Sequence, residues 1–142
     1  MRASYNSPET SEESSVEQEL RPLSVLVVDD ESAVREGMQE LLESLGCSVL
    51  SADGTDAAVV LAADNRPDLA LVDFRLRGKD SGLLVIEGLR RIYPDLPAIM
   101  ISGDTAPDRL REAKEAGVPL LSKPVLVKPL KDAIAATYRQ EG

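Results

Sequence analysis

Apolar runs of four to six residues recur along this chain, separated by longer stretches that mix apolar and charged positions. The runs are "LSVLVV" at 23–28, "SVLSA" at 48–52, "LALV" at 69–72, "AIMIS" at 98–102 and "VPLLS" at 118–122. Short segments this rich in Val, Leu and Ile suit strands buried on both faces. The stretches between them carry a helical period. The first places Val34, Met38, Leu41, Leu42 and Leu45 on one stripe and stops at Gly46. Further helices are expected over 55–64, 83–92, 107–116 and 129–139. Pro107 and Pro129 open two of them, at a position where a missing N–H is harmless. Five strand–helix units in strict alternation predict a parallel sheet covered on both sides. Right-handed crossovers make it a doubly wound α/β fold, whose ligands bind at the carboxyl ends of the strands.

Composition narrows the reading. The chain has 142 residues, 43% of them hydrophobic, enough for one domain with a core but not for two comfortable ones. Residues 1–22 hold five Ser and five Glu but only one Val and one Leu, and read as an acidic leader or linker ahead of a domain at 23–142. Lys and Arg number 16 against 25 Asp and Glu, a net charge of −9, so nucleic acid is not an expected partner. There is no His, which removes the commonest general base and zinc ligand. The single Cys47 excludes an internal disulfide and reads as a small buried hydrophobe. No stretch approaches the ~20 apolar residues that span a bilayer, and the N-terminus has no basic-then-apolar signal. The expectation is a cytoplasmic protein without direct membrane contact.

Chemistry is sought at the strand ends. The first strand runs into Asp29, Asp30 and Glu31, the third into Asp73, the fourth into Ser102 and the fifth into Lys123. A strand order that gathered these ends would place acids, a hydroxyl and an ammonium on one edge. Carboxylates that crowded oppose one another's ionisation, and a hard divalent cation such as Mg²⁺ resolves the conflict. One carboxylate could then attack phosphorus, with the cation, a Lys and a hydroxyl covering the phosphoryl oxygens. Asp is ionised at neutral pH, so the scheme needs no separate base.

"VLVVDDE", "LALVDFRL", "IMISGDT" and "LLSKPV" together resemble the receiver domain of two-component response regulators, over about residues 23–139. The stretches "DFRLRGKDSG", "ISGDTAPDRLREA" and "GVPLLSKPV" are most similar to receivers attached to bacterial hybrid sensor histidine kinases. The resemblance implies a flavodoxin-like (βα)5 fold with strand order 2-1-3-4-5. It implies Asp73 as phosphoacceptor and Ser102 and Lys123 as partners of the phosphoryl oxygens. It further implies Mg²⁺ or Mn²⁺ held by Asp30, Asp73 and the Arg75 backbone carbonyl, with Asp29 acting through water. The phosphoryl donor would be a histidine kinase or histidine phosphotransfer domain. Catalysis would be confined to the domain's own phosphorylation and dephosphorylation. Output would pass through the face of the fourth helix, fifth strand and fifth helix, around 109–115, Leu120 and 131–138. The Lys123–Pro124 bond is usually cis in the family, whereas Lys128–Pro129 reads as punctuation at a helix start.

Two departures stand out. Many receivers carry an aromatic residue three positions before the lysine, where this chain has Leu120, so the signal is expected to travel by loop movement around Ser102 and Gly103 or by Leu120 repacking. Arg75 and Asp104 flank the site and are expected to pair across its mouth, hindering water. Two alternatives stay open: a pseudo-receiver that binds protein without phosphate control, and a phosphohydrolase of haloacid-dehalogenase type. The second would need an acid two residues after the nucleophile, where Arg75 stands.

Overall fold

In the computed structural model, which describes residues 23–78, 80–103 and 107–141, each apolar run becomes a strand. The elements are β1 (Ser24–Val28), α1 (Ser32–Ser44), β2 (Ser48–Ala52), α2 (Thr55–Asp64), β3 (Leu69–Asp73), α3 (Gly82–Ile92), β4 (Ala98–Ser102), α4 (Pro107–Glu115), β5 (Leu120–Ser122) and α5 (Val127–Glu141). The leader lies outside the described residues. All strand pairs are parallel and the order is β2-β1-β3-β4-β5, the doubly wound, flavodoxin-like arrangement expected.

The central strands are apolar through their middles because each face meets its own helical layer. Val25, Val27, Leu69, Leu71, Ile99 and Ile101 pack with Met38 and Leu42 of α1, Leu45 just after it, and Leu130 and Ile134 of α5. The alternate residues Leu26, Val28, Ala70, Val72, Ala98 and Met100 pack with Ala58 and Ala62 of α2, Val85, Ile86 and Leu89 of α3, and Ala113 of α4. Cys47 is buried in the first layer, as expected of a small hydrophobe. The edge strand β2 instead exposes Ser48 and Ser51.

α1 ends as expected at Gly46, which takes φ 93°. The Gly46 N–H donates to the Glu43 carbonyl and the Cys47 N–H to the Leu42 carbonyl, capping the last turn. Two elements start two residues away from expectation. β5 starts at Leu120, because the Val118 N–H is taken by the Ala113 carbonyl at the end of α4 and Pro119 has none to give. α5 starts at Val127, so Pro129 is its third residue, still within the turn whose N–H groups lack intrahelical acceptors. Lys128 lies inside that first turn and pairs with Asp132 at 2.9 Å on the surface.

Two glycines in helices separate packing from propensity. A Cβ on Gly82 would lie 2.6 Å from the Asp73 carbonyl oxygen and 3.1 Å from Phe74 Cα, so only glycine lets α3 start against the end of β3. A Cβ on Gly37, within α1, would meet nothing within 4 Å. Chemical denaturation should show Gly37→Ala stabilising the fold by about 0.5–1 kcal/mol, the helix-propensity gain. Gly82→Ala should destabilise it by about 2–3 kcal/mol despite the same gain, because backbone must move.

Candidate functional site

The register of the sheet assembles the site. Val28 pairs with Val72, Asp73 with Ile101, and Ser102 with Ser122. The residues that follow or end β1, β3, β4 and β5 therefore share one edge: Asp29, Asp73, Ser102 and Lys123. Asp29, Asp73 and Ser102 are the buried polar residues among those described, at 4%, 6% and 2% exposure. Burying such groups is tolerated only when they are paired or hydrogen-bonded. Lys123 supplies the charge. Its Nζ lies 3.3 Å from Asp73 Oδ2 and 3.4 Å from Asp29 Oδ2.

Local hydrogen bonds hold each group. The Asp29 N–H donates to the Ala52 carbonyl at 3.1 Å, and Asp29 Oδ1 accepts from the Glu31 N–H at 2.9 Å. Arg35 of α1 reaches back, its Nη1 donating to the Asp29 carbonyl at 2.6 Å. The Phe74 N–H donates to the Ile101 carbonyl at 2.7 Å, and the Arg75 N–H donates to the Asp73 carboxylate. On the far side the Lys123 N–H donates to the Ser102 carbonyl at 2.9 Å, and the Lys123–Pro124 peptide is cis.

The loop after Asp73 is pinned at its end. Asp80 accepts from the Thr55 N–H at 2.9 Å, from the Thr55 hydroxyl, and from the Ser81 N–H at 3.1 Å. Burial pushes the Asp80 carboxyl up, but these donors outweigh it and hold it below its ordinary value. Ser81 caps α3, its Oγ accepting from the Leu84 N–H. Within the loop the Arg75 backbone bridges to Ser81.

Asp73 and its neighbours face a cleft of about 660 Å³ lined also by Asp30, Glu31, Arg75, Arg77, Gly103 and Lys123. Carboxylate oxygens of Asp29, Asp30 and Glu31 lie within 4.8 Å of one another, a set of hard oxygen donors suited to Mg²⁺ or Mn²⁺ and unsuited to thiophilic metals. Burial pushes the Asp73 carboxyl up, and Asp29 beside it pushes further. Lys123 and the Arg75 N–H only partly offset this, leaving it at about 6. Burial alone would lower the Lys123 ammonium, but Asp73 and Asp29 outweigh burial and hold it above its ordinary value.

The structure thus brings Asp29, Asp30, Asp73, Ser102 and Lys123 together, with the Arg75 backbone beside them. Asp104 lies outside the described residues, and so does its expected pairing with Arg75. Leu120 is half-buried against the layer containing Met100. Phe74, next to Asp73, lies under the Arg109 guanidinium of α4 at 4.8 Å. Sequence reading missed three contributors. Arg35 and Asp80 position turns, and Arg77 Nε stands 3.4 Å from Asp30 Oδ2. Of these, only Asp80-Ser81 before an apolar helical stretch carries a local signal, that of a helix cap.

The family model described as response regulator receiver domain matches residues 25–135. The chain is 32% identical over 121 residues to the sensory/regulatory protein RpfC of Xanthomonas campestris pv. campestris (strain 8004), covering 82% of this chain and 16% of RpfC. It is also 32% identical over 121 residues to the phosphate regulon transcriptional regulatory protein PhoB of Pseudomonas aeruginosa, covering 83% of this chain and 52% of PhoB. It therefore spans about half the length of PhoB and far less of RpfC. A response regulator receiver domain protein from Clostridium thermocellum superposes with a TM-score of 0.75 at 27% identity, over 84% of this chain and 96% of that one.

The raised Asp73 carboxyl has a consequence for stability. An acid whose folded pKa exceeds its unfolded value favours the folded state while protonated and loses that advantage as pH rises. Without divalent metal, stability should fall by about 2–3 kcal/mol between about pH 4 and pH 6 from this group. Asp73→Asn should therefore be more stable than the parent at about pH 7.5 and similar to it at about pH 4, as read by urea denaturation in a chelator.

Proposed function

The chain belongs to the response regulator receiver family, and from that premise we propose that it accepts a phosphoryl group on Asp73 from the phosphohistidine of a histidine kinase or phosphotransfer domain. The observation that carries this is the convergence of Asp73, Asp29, Ser102 and Lys123, three of them buried, at the edge of an otherwise apolar sheet.

Each residue has a role the geometry supports. Asp73, ionised above about pH 6, is the nucleophile. One of its carboxylate oxygens bonds to phosphorus as the phosphorus–nitrogen bond of the donor breaks, and that electron pair leaves on the imidazole nitrogen. Lys123, already within 3.4 Å of both buried carboxylates, pairs with one phosphoryl oxygen, and the Ser102 hydroxyl donates to another. Asp30, Asp73 and the Arg75 carbonyl would hold the metal, with Asp29 acting through water. Bound Mg²⁺ or Mn²⁺ supplies the positive charge that offsets the carboxylates and the transferring phosphoryl group.

The response passes outward through α4, β5 and α5. α4 is suited to move because it buries only Ala113 and otherwise leans on Phe74 through Arg109, while Leu110 is exposed. Leu120, with no ring to swing, leaves the signal to the Ser102–Gly103 turn or to its own repacking. A pseudo-receiver reading is favoured only by that leucine. The family match leaves no ground for a haloacid-dehalogenase reading, and Arg75 occupies the place of its second acid. No helix among the described residues is long and apolar enough to cross a membrane, which fits a receiver working in the cytoplasm.

Intact-mass measurement after incubation with Mg²⁺ and a small-molecule phosphodonor tests the assignment. The parent should gain one phosphoryl group, and Asp73→Asn or a chelated sample should gain none. A parent that gains nothing from any donor would shift the weight to the pseudo-receiver, and an Asp73→Asn protein that still gains the group would move the acceptor elsewhere.

A further inference from the structure

We propose that Arg77 is a tethered cation that competes with the divalent ion for Asp30, and so sets how tightly this site takes a metal. The inference rests on the reading of the acidic edge as a Mg²⁺ site.

The charges at that edge are divided between two cations. Lys123 is committed to the inner carboxylates, Asp73 and Asp29. Asp30, the outer acid, points into the cleft and meets Arg77, whose Nε lies 3.4 Å from Asp30 Oδ2. Arg77 is no loose surface arginine. Its carbonyl accepts the Asp80 N–H at 3.2 Å, Gly78 turns the chain behind it at φ 66°, and Asp80 is bonded to Thr55. The loop therefore holds the Arg77 backbone beside the cleft while its side chain remains 83% exposed. A cation presented this way has a high local concentration at Asp30 without being buried there.

A divalent ion liganded by Asp30 must displace that guanidinium or share the carboxylate with it. Both oppose binding: the first breaks an ion pair, and the second places like charges within a few ångströms. The arginine side of the pair is exposed, so its effect is modest. Exposed pairs of this kind correspond to about a two- to fivefold change in an equilibrium constant. The arginine in return keeps the outer acid neutralised when no metal is bound, as Lys123 does for the inner pair.

Titration of MgCl₂ into ¹⁵N-labelled, metal-free protein, followed by amide shifts, measures the affinity directly. Arg77→Gln should bind Mg²⁺ about two- to fivefold more tightly than the parent at low ionic strength, with the gap closing in high salt. Arg66→Gln removes the same charge at the opposite, amino edge of the sheet and should leave the affinity unchanged. Equal or weaker binding by Arg77→Gln would overturn the proposal, and so would an equal gain in Arg66→Gln, which would make the effect one of net charge. A parent that shows no Mg²⁺-dependent shifts at Asp29, Asp30 or Asp73 would overturn the metal-site reading itself, an outcome distinct from either.

Discussion

An ammonium between two buried carboxylates is the interaction on which the rest of this structure depends. Asp29 and Asp73 are both less than a tenth exposed, and polar groups buried this deeply are tolerated only when they are paired. Lys123 makes the pair tolerable, yet it arrives from the far edge strand and must cross β4 to do so. The strand order meets that requirement by placing β1 and β3 side by side at the centre and β4 between them and β5. The two apolar layers cover the sheet on both faces, and charges remote in sequence meet only at this edge. Even so, the compensation is incomplete, since Asp73 remains shifted upward. The fold carries a strained charge balance at one edge and an untroubled hydrocarbon core everywhere else.

Much of this was readable beforehand, for physical reasons. A central parallel strand must be apolar on both faces, so β1, β3 and β4 announce themselves as unbroken runs, and Asp73 is conspicuous as the charge that ends one. Gly46 marks the end of α1 because a left-handed residue is needed there. The boundaries around β5 were harder. Val118 and Pro119 look like strand but serve the end of α4, and Pro129 looks like a helix start although helices accept proline anywhere in the first turn. Contacts between loops were not legible at all. Asp30 and Arg77, or Thr55 and Asp80, are ordinary surface residues until β1 and β3, or α2 and α3, are packed side by side.

The segment from Phe74 to Gly82 shows how a loop beside a reactive group is kept in place without being buried. Gly82 allows the backbone of α3 to touch the Asp73 carbonyl, the Gly82 N–H donates to the Phe74 carbonyl at 2.9 Å, and Asp80 ties the far end to α2. Between those ties, Arg75 and Arg77 line the cleft. Phe74 faces the other way, inward beneath Arg109, so the residue next to Asp73 is in contact with the helix least anchored in the core. The buried carboxylate and the contact to α4 are thus one peptide bond apart.

The same arrangement bears on aggregation. β1, β3 and β4 are short and rich in branched side chains, with Asp73 at the end of β3 their single charge, the kind of segment that pairs with copies of itself when its edges are open. None of them is at an edge. One border of the sheet falls to β2, which turns Ser48 and Ser51 outward. The other falls to β5, three residues long and closed in by Pro119 and Pro124, neither of which can donate to a neighbouring strand. The order that gathers the charged groups at one end also seals the stickiest strands inside, away from any open edge where they could pair with another chain.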